Sequence, residues 1–365
     1  MKLQINTVRL QDMISRAVKG AGNNKLIPLT SLMEIRLIDN ELVLTTTDAT
    51  NYLYIKDKSV MGDDFRVTVE AETFSKLISK LTCEYVTLEL EDKILKVEGN
   101  GNYLIALPLD ENGELIEYPN PLEKLELNDS TFKGTVNLST VQSILTSIKP
   151  SLATTMEVPC YTGYYFGDEV IGTNTYMISS LNVKLFPEPT LISAGMLDLL
   201  AVFTEDKVNV DRVDNVLVFS STEATVYGYV MDGIEDYQIS AIEGLLTMDL
   251  NSMCRIPRNL ILQVLDRLSL FVNVYDKNGI YLEFKEEGLE ITSKSSSGVE
   301  LIPYTAMISF EPFKCVIDIQ MLYAQLKAQT SDSVELWFGT PNAIKLVDGD
   351  ITQIVALLED GESGE

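Results

Sequence analysis

Carboxylates are the one kind of reactive group this sequence carries in quantity. It has 54 Asp and Glu against 28 Lys and Arg, and no histidine. Without imidazole there is no Ser–His–Asp or Cys–His nucleophile system, no His-ligated zinc and no histidine acid–base catalysis. Cys83, Cys160, Cys254 and Cys315 lie far apart and never form C-x-x-C, the pattern of reduced, partly buried thiols in a cytoplasmic protein. Phosphate-cradling G-x-x-x-x-G-K-[ST], strand-coupled G-x-G-x-x-G and G-x-S-x-G are all missing. A carboxylate-dependent metal hydrolase remains within the inventory. Its candidate pairs, Asp63–Asp64, Glu91–Asp92 and Glu286–Glu287, fall in turn-like segments and read as solvated hairpin tips. No cofactor or metal is expected.

The elements that must position any site follow one rhythm. In FKCVIDIQMLYAQLKAQ (313–329), Phe313, Cys315 and Ile317 alternate as in a half-buried strand. Ile319, Leu322, Tyr323 and Leu326 then take the spacing of one helical face. Five more copies precede it. KLQIN (2–6) leads into Leu10, Met13, Ile14, Ala17 and Val18; FRVTV (65–69) leads into Phe74, Leu77, Ile78 and Leu81. FKGTVN (132–137) leads into Val141, Ile144, Leu145 and Ile148; PTLIS (189–193) leads into Leu197, Leu200 and Ala201. MCRI (253–256) leads into Ile261, Val264, Leu265 and Leu268, with Pro257 at the first helical position. Asn6, Asn137, Ser193 and Asp318 are candidate helix caps.

The unit recurs at roughly 60 residues and each helix is followed by two or three short strands. After the first come 33–38, 41–47 and 52–56, with Asp39-Asn40 as the tight turn. The stretch 272–294 repeats this with turns at Asn278-Gly279 and Glu287-Gly288. EYPNP (117–121) and DGIEDYQ (232–238) interrupt the rhythm after the second and fourth units. The expected fold is therefore α+β, with three similar two-unit domains at 1–127, 128–247 and 248–365. No apolar run reaches a membrane span, and the N-terminus lacks a signal peptide's apolar core.

The charge is unevenly spread. Five of the six predicted helices are net positive in a chain of net charge −26; the fourth, with Asp198 and Glu205, is negative. If all six lie on one side of a curved sheet, their polar faces form a mildly basic surface opposite an acidic one. Such a surface suits loose, salt-sensitive contact with phosphates and offers no Arg- and Asn-rich helix for reading bases.

The chain resembles the bacterial-type replicative sliding clamp, the beta subunit of DNA polymerase III. LIPLTSLMEIRLIDNELVLTTTDATNYLYI (26–55) is similar to that family's L-P-I-L, strand, turn, L-x-L-T-x-T-D segment. EYPNP and EDYQ (235–238) look like its two linkers, EVIGTNTYMIS (169–179) its A-T-D-G-H-R-L segment, and ITQIVALLE (351–359) its Y-V-x-M-P-M end. The resemblance implies a homodimeric ring with helices inside and sheets outside. It would be a non-enzymatic processivity factor that encircles double-stranded DNA, tethers a replicative DNA polymerase and needs a clamp loader. The acidic DNA-mimicking protein and the metal hydrolase are the alternatives.

The resemblance also implies sites. A partner-peptide pocket would use Thr173, Thr175, Tyr176, Met177, Ile178, Ile242, Val355, Ala356 and Leu358. The family's His and Arg there are replaced by Tyr176 and Met177, its Pro-Met by Leu357-Leu358, and EDGESGE extends beyond its end, which suggests a viral or mobile-element version. Ring closure would use Tyr103, Ile105 and Leu107 against Leu270 and Phe271 of a second copy. DNA contact is expected from Arg9, Arg16, Lys25, Lys76, Lys80, Lys149, Arg258, Arg267 and Lys327.

Overall fold

Each predicted strand-to-helix junction is present in the computed structural model, which describes residues 1–359 apart from Ser296 and Phe310. Strand Lys2–Asn6 enters helix α1 (Thr7–Ala17), Phe65–Glu70 enters α2 (Ala71–Ile78) and Phe132–Asn137 enters α3 (Leu138–Ser147). Thr190–Ser193 enters α4 (Ala194–Leu199), and α5 (Ile239–Leu246) follows. Ser252–Pro257 then enters α6 (Arg258–Leu268), and Phe313–Asp318 enters α7 (Ile319–Ala328).

The junctions are tight because the last strand residue doubles as the helix cap. Asn6 accepts from the Arg9 amide, and Asp318 accepts from the amides of Gln320 and Met321. Glu70 caps α2 in the same way, a role its type does not advertise. Pro257 occupies the cap position of α6 and not its first turn. Helices this short need an apolar face to hold them. Leu10, Met13, Ile14 and Ala17 of α1 are buried, as are Ile261, Val264, Leu265 and Leu268 of α6 and Ile319, Leu322 and Leu326 of α7. Ala201, expected inside, is exposed; Met196, Leu199 and Val202 are buried in its place.

The described residues form two compact units, Met1–Val141 with Gly195–Val230 and Gln142–Ala194 with Met231–Glu365. The first contains a four-stranded antiparallel sheet, in the order Lys2–Asn6, Tyr85–Glu91, Ile94–Glu98, Asn102–Ala106. It also contains an eight-stranded sheet whose middle joint pairs Asn51–Asp57 with Ala224–Tyr229, Val226 opposite Leu53. The second unit is built on a thirteen-stranded sheet in which Met177–Leu181 pairs with Ile351–Leu358, Ile178 opposite Ile354. Sheets therefore run on across segments that the sequence rhythm separates. A strand at the end of one three-strand set finds its hydrogen-bond partners in the next set.

The turns follow their chemistry. Asp39 and Asn40 both have positive φ, 51° and 63°, as a two-residue hairpin turn requires. Two expectations fail. Residues 272–278 carry no strand: Val274–Asp276 is a single 3-10 turn, and the strand begins only at Gly279. Helix α5 lies in a segment read as linker, although Ile239, Ile242 and Leu246 sit on one helical face, with Ile242 and Leu246 buried.

Candidate nucleic-acid and partner interfaces

The nine cations expected at DNA divide by what holds them. Lys25, Lys80 and Lys327 are exposed, with no ion-pair partner among the described residues. Lys149 is also exposed. Lys76 pairs with Glu72 one turn earlier on α2, and that carboxylate holds its ammonium above the ordinary lysine range. Arg9 contacts Asp57, and Arg267 Nε donates to Glu300 at 2.8 Å, holding the Glu300 carboxyl below its usual value.

Two arginines are drawn inward. Arg16 is only 8% exposed: its Nε donates to the Val202 carbonyl at 3.1 Å, and Nη1 reaches Glu223 at 3.0 Å and Asp12 at 3.4 Å. Arg258 Nη1 donates to the Gln329 carbonyl at 2.6 Å and the Leu326 carbonyl at 3.4 Å, at the C-terminal end of α7. There it satisfies carbonyls that the helix cannot, and opposes the negative end of the helix dipole. Helical periodicity places these residues correctly on their helices but cannot show that a neighbouring segment covers their faces.

The expected peptide-pocket residues lie on a hairpin beside the last strand of the second unit. Thr173 Oγ1 donates to the Met177 carbonyl at 2.8 Å, and Thr175 takes φ +76° to close the turn. The turn lifts Tyr176 outward, 59% exposed, while Met177 and Ile178 are buried. The Ala356 amide donates to the Tyr176 carbonyl at 2.8 Å, and Met177 pairs with Val355 in register. Ile178 and Ile242 share one apolar cluster with Ile354. Val355 instead joins the separate core of Ile256, Ile317 and Leu322, because successive strand residues point to opposite faces. Leu358 lies farther along, paired with Val316. The segment from Asp360 onward lies outside the described residues.

Aromatic residues missing from the expected set underlie this cluster. Tyr165 stacks on Tyr237 with ring centroids 4.9 Å apart, and Tyr161 meets Tyr237 edge-on at 5.1 Å. Burial raises the Tyr165 and Tyr237 hydroxyls above the ordinary tyrosine value. The signal in the sequence was EDYQ: its tyrosine anchors the segment to the sheet.

Two sheet edges carry exposed apolar side chains. Asn102–Ala106 ends the four-stranded sheet, with Leu104 69% exposed, Tyr103 and Ile105 half-buried, and Leu107 buried. In the second unit, Val299–Ile302 pairs, among the described residues, only with Leu289–Ser293 and exposes Val299 and Leu301. Beside that strand Leu270 is 80% exposed, Phe271 is also exposed, and Gly298 leaves room for the Phe271 ring, which a Cβ would approach to 3.3 Å. Tyr275, in the 3-10 turn, is 99% exposed.

Among the described residues no three or more acidic or cysteine side chains gather where they could hold a metal ion. Asp63 accepts from the Lys2 amide and Asp64 from the Asp39 amide, so this pair ties distant segments together and is not a hairpin tip; Asp92, with φ 53°, sits in the turn after Tyr85–Glu91.

Residues 1–119 match the family model described as DNA polymerase III beta subunit, N-terminal domain. No curated protein matches the chain. Among solved structures, the beta subunit from DNA polymerase of Streptococcus pyogenes superposes with a TM-score of 0.86. It is 16% identical, covering 99% of this chain and 100% of that one. The DNA polymerase sliding clamp from Bacillus subtilis gives 0.84 at 18% identity, covering 99% of each chain. DNA polymerase III beta subunit from Thermotoga maritima gives 0.83 at 16% identity, covering 99% of this chain and 100% of that one. The chain has the DNA clamp fold, in a form far diverged in sequence.

Proposed function

We propose that a chain with this fold works as a sliding clamp, a processivity factor that performs no chemistry of its own. The observation that carries the reading is the clamp fold over 99% of the chain, together with the match of residues 1–119 to the beta-subunit family model. In this reading, domains at 1–127, 128–247 and 248–365 form half of a ring, and their counterparts in a second copy complete it. The exposed edge at Asn102–Ala106 meets Val299–Ile302, Leu270 and Phe271 of that copy, joining two open sheets and covering their apolar side chains. Duplex DNA passes through the ring, with Lys25, Lys80, Lys149 and Lys327 among the cations that face it.

Encirclement explains how an acidic protein can serve DNA. A topological tether needs little intrinsic affinity, and a strongly basic lining would stick where it should slide. A replicative polymerase docks a short peptide at the Thr173–Ile178 hairpin and the last strand, and a loader opens the ring. Light scattering after size exclusion should give a particle of twice the chain mass. Loaded protein should stay on nicked circular DNA and leave when the circle is cut. A monomer that leaves circle and linear DNA at the same rate would end the reading.

A further inference from the structure

Three stretches of the second unit surround the Thr173–Ile178 hairpin: residues 151–181, 231–251 and 339–359. They carry three, five and three carboxylates, eleven in all, against a single cation, Lys345. Ten of the chain's 26 excess negative charges therefore belong to these stretches. Lys345 is itself occupied: its Nζ donates to the Leu246 carbonyl at 2.8 Å, and burial pushes its ammonium below the ordinary lysine range.

The carboxylates stand around an apolar floor. Tyr161, Ile178, Tyr237 and Ile242 form its buried part, and Val158, Ile234, Ile239 and Met248 pack on it while keeping part of their surface in solvent. Each of those four half-buried residues has a carboxylate beside it. Glu157 precedes Val158, Glu235 and Asp236 follow Ile234, and Asp249 follows Met248; Glu243 lies one turn beyond Ile239 on α5. All five are exposed, and none has an ion-pair partner among the described residues. A Cβ on Gly233 would stand 3.7 Å from Asp236 Oδ2 and 3.8 Å from Cys160 Cβ, so that carboxylate lies close to one end of the floor. At Tyr165, burial raises the hydroxyl and the Glu243 charge adds to it, which puts that carboxylate within electrostatic reach of the floor as well.

We infer that this face takes a basic peptide: a segment of a partner protein with apolar side chains for the floor and lysines or arginines on either side of them. Like charges left unpaired around an apolar surface repel one another, and cations from a partner relieve that repulsion. Contact with the floor supplies affinity, while the rim speeds the encounter and selects among partners. The same carboxylates repel phosphates, so the face is closed to nucleic acid. The inference deepens the clamp reading and rests on it for the presence of a docked peptide.

The test titrates the full-length protein against three peptide libraries. All share a randomised core of Leu, Ile, Met, Phe and Tyr, flanked on both sides by Lys, by Gln or by Glu. Wild type should bind the Lys-flanked library about tenfold tighter than the Glu-flanked one at low salt, with the gap closing as salt rises. A Glu235→Gln, Asp236→Asn, Glu243→Gln variant should lose that preference. A Glu111→Gln, Glu286→Gln, Glu287→Gln variant of the same net charge should keep it, which separates the rim from bulk attraction to an acidic chain. Glu243→Gln alone should cut the preference about twofold, and serves if the first variant melts early. A preference that survives the rim changes, or is lost equally in both triple variants, would overturn the inference, as would no binding of any library. Equal binding of all three libraries, lost in Tyr176→Ala, leaves the clamp's peptide site and removes its charge selection. A Lys preference that depends on the rim, in a protein not retained on nicked circular DNA, leaves the basic-peptide face and removes the clamp. A particle mass that climbs with concentration in the wild type but not in the rim variant gives the face to a further copy of the chain, and the inference falls.

Discussion

The carbonyl of Tyr176 accepts a hydrogen bond from the Ala356 amide at 2.8 Å, fastening the Asn174–Met177 turn to the last described strand. The backbone of Tyr176 is thus fixed while its ring stands 59% exposed, an arrangement suited to gripping a partner without supporting the fold. Tyr176→Ala should change stability by less than ~0.5 kcal/mol and weaken capture of a polymerase-derived peptide. Tyr237→Ala, by contrast, removes a buried stacked ring and should cost ~3–5 kcal/mol. Thermal melts and peptide titration of the two variants check the contrast; equal destabilisation would show that the Tyr176 ring is part of the core.

Removing Leu357–Glu365 should also reduce peptide capture while the particle keeps its mass. The edges proposed to close the ring lie elsewhere; the truncation removes the pairing of Leu357 and Leu358 with Ile317 and Val316, the hydrogen bond from the Leu357 amide to the Asn342 carbonyl at 2.9 Å, and the packing of Leu357 on the core. Light scattering on the truncated chain reads the mass, and peptide titration reads the capture.

Ring closure should be sensitive to charge at the exposed edges. Leu104→Asp puts a carboxylate on a side chain that is 69% exposed within one chain, so the monomer should fold normally. Burying that charge between copies would be costly, and the particle should fall to the mass of one chain. Leu270→Asp should do the same from the other side. A full-mass particle in both variants would place the interface elsewhere.

Arg258 was expected at DNA, yet it ties off the end of α7. Arg258→Ala should cost ~1–3 kcal/mol, the cost of orphaned carbonyls, and leave the salt dependence of duplex binding unchanged. Lys80→Ala should show the reverse pattern. Urea melts and a salt series on each variant distinguish the two roles.

Acid sensitivity has a local source at Asp348. Burial alone would raise its carboxyl, but the Ser331 hydroxyl and the amides of Thr330 (2.7 Å) and Ser331 (3.2 Å) outweigh it and hold the group below the ordinary aspartate value. A depressed folded-state value means the contribution is present above the unfolded-state pKa and lost as pH falls through the folded one. Asp348→Asn should therefore be less stable than wild type at neutral pH, and the two stability–pH curves should converge in acid.

Local order is legible in the chain because its causes are local. Alternation in Phe313–Ile317 followed by the 0, 3, 4, 7 spacing from Ile319 dictates a strand and then a helix, and Asp318 between them can only cap. The same logic fixes Asp39-Asn40 as a turn and the buried faces of α1 and α6. It fails at α5 because that helix is only eight residues long, with Ile242 and Leu246 its buried residues, too short a periodic stretch to stand out beside the linker-like EDYQ. It fails at 272–278 because Val274 and Tyr275 are exposed and, among the described residues, pair with no strand.

Which polar residues are free was decided only by the tertiary structure. Arg16 and Lys80 read alike in the sequence, yet Val202 and Glu223, 186 and 207 residues farther on, close over the one, while Lys80 stands exposed just past α2. Likewise Val355 and Ile354 are neighbours in sequence but belong to different cores, because the sheet has two faces and each is covered by a distant segment. Spacing along a chain sets which way a side chain points; what it meets there depends on long-range pairing that no short window contains.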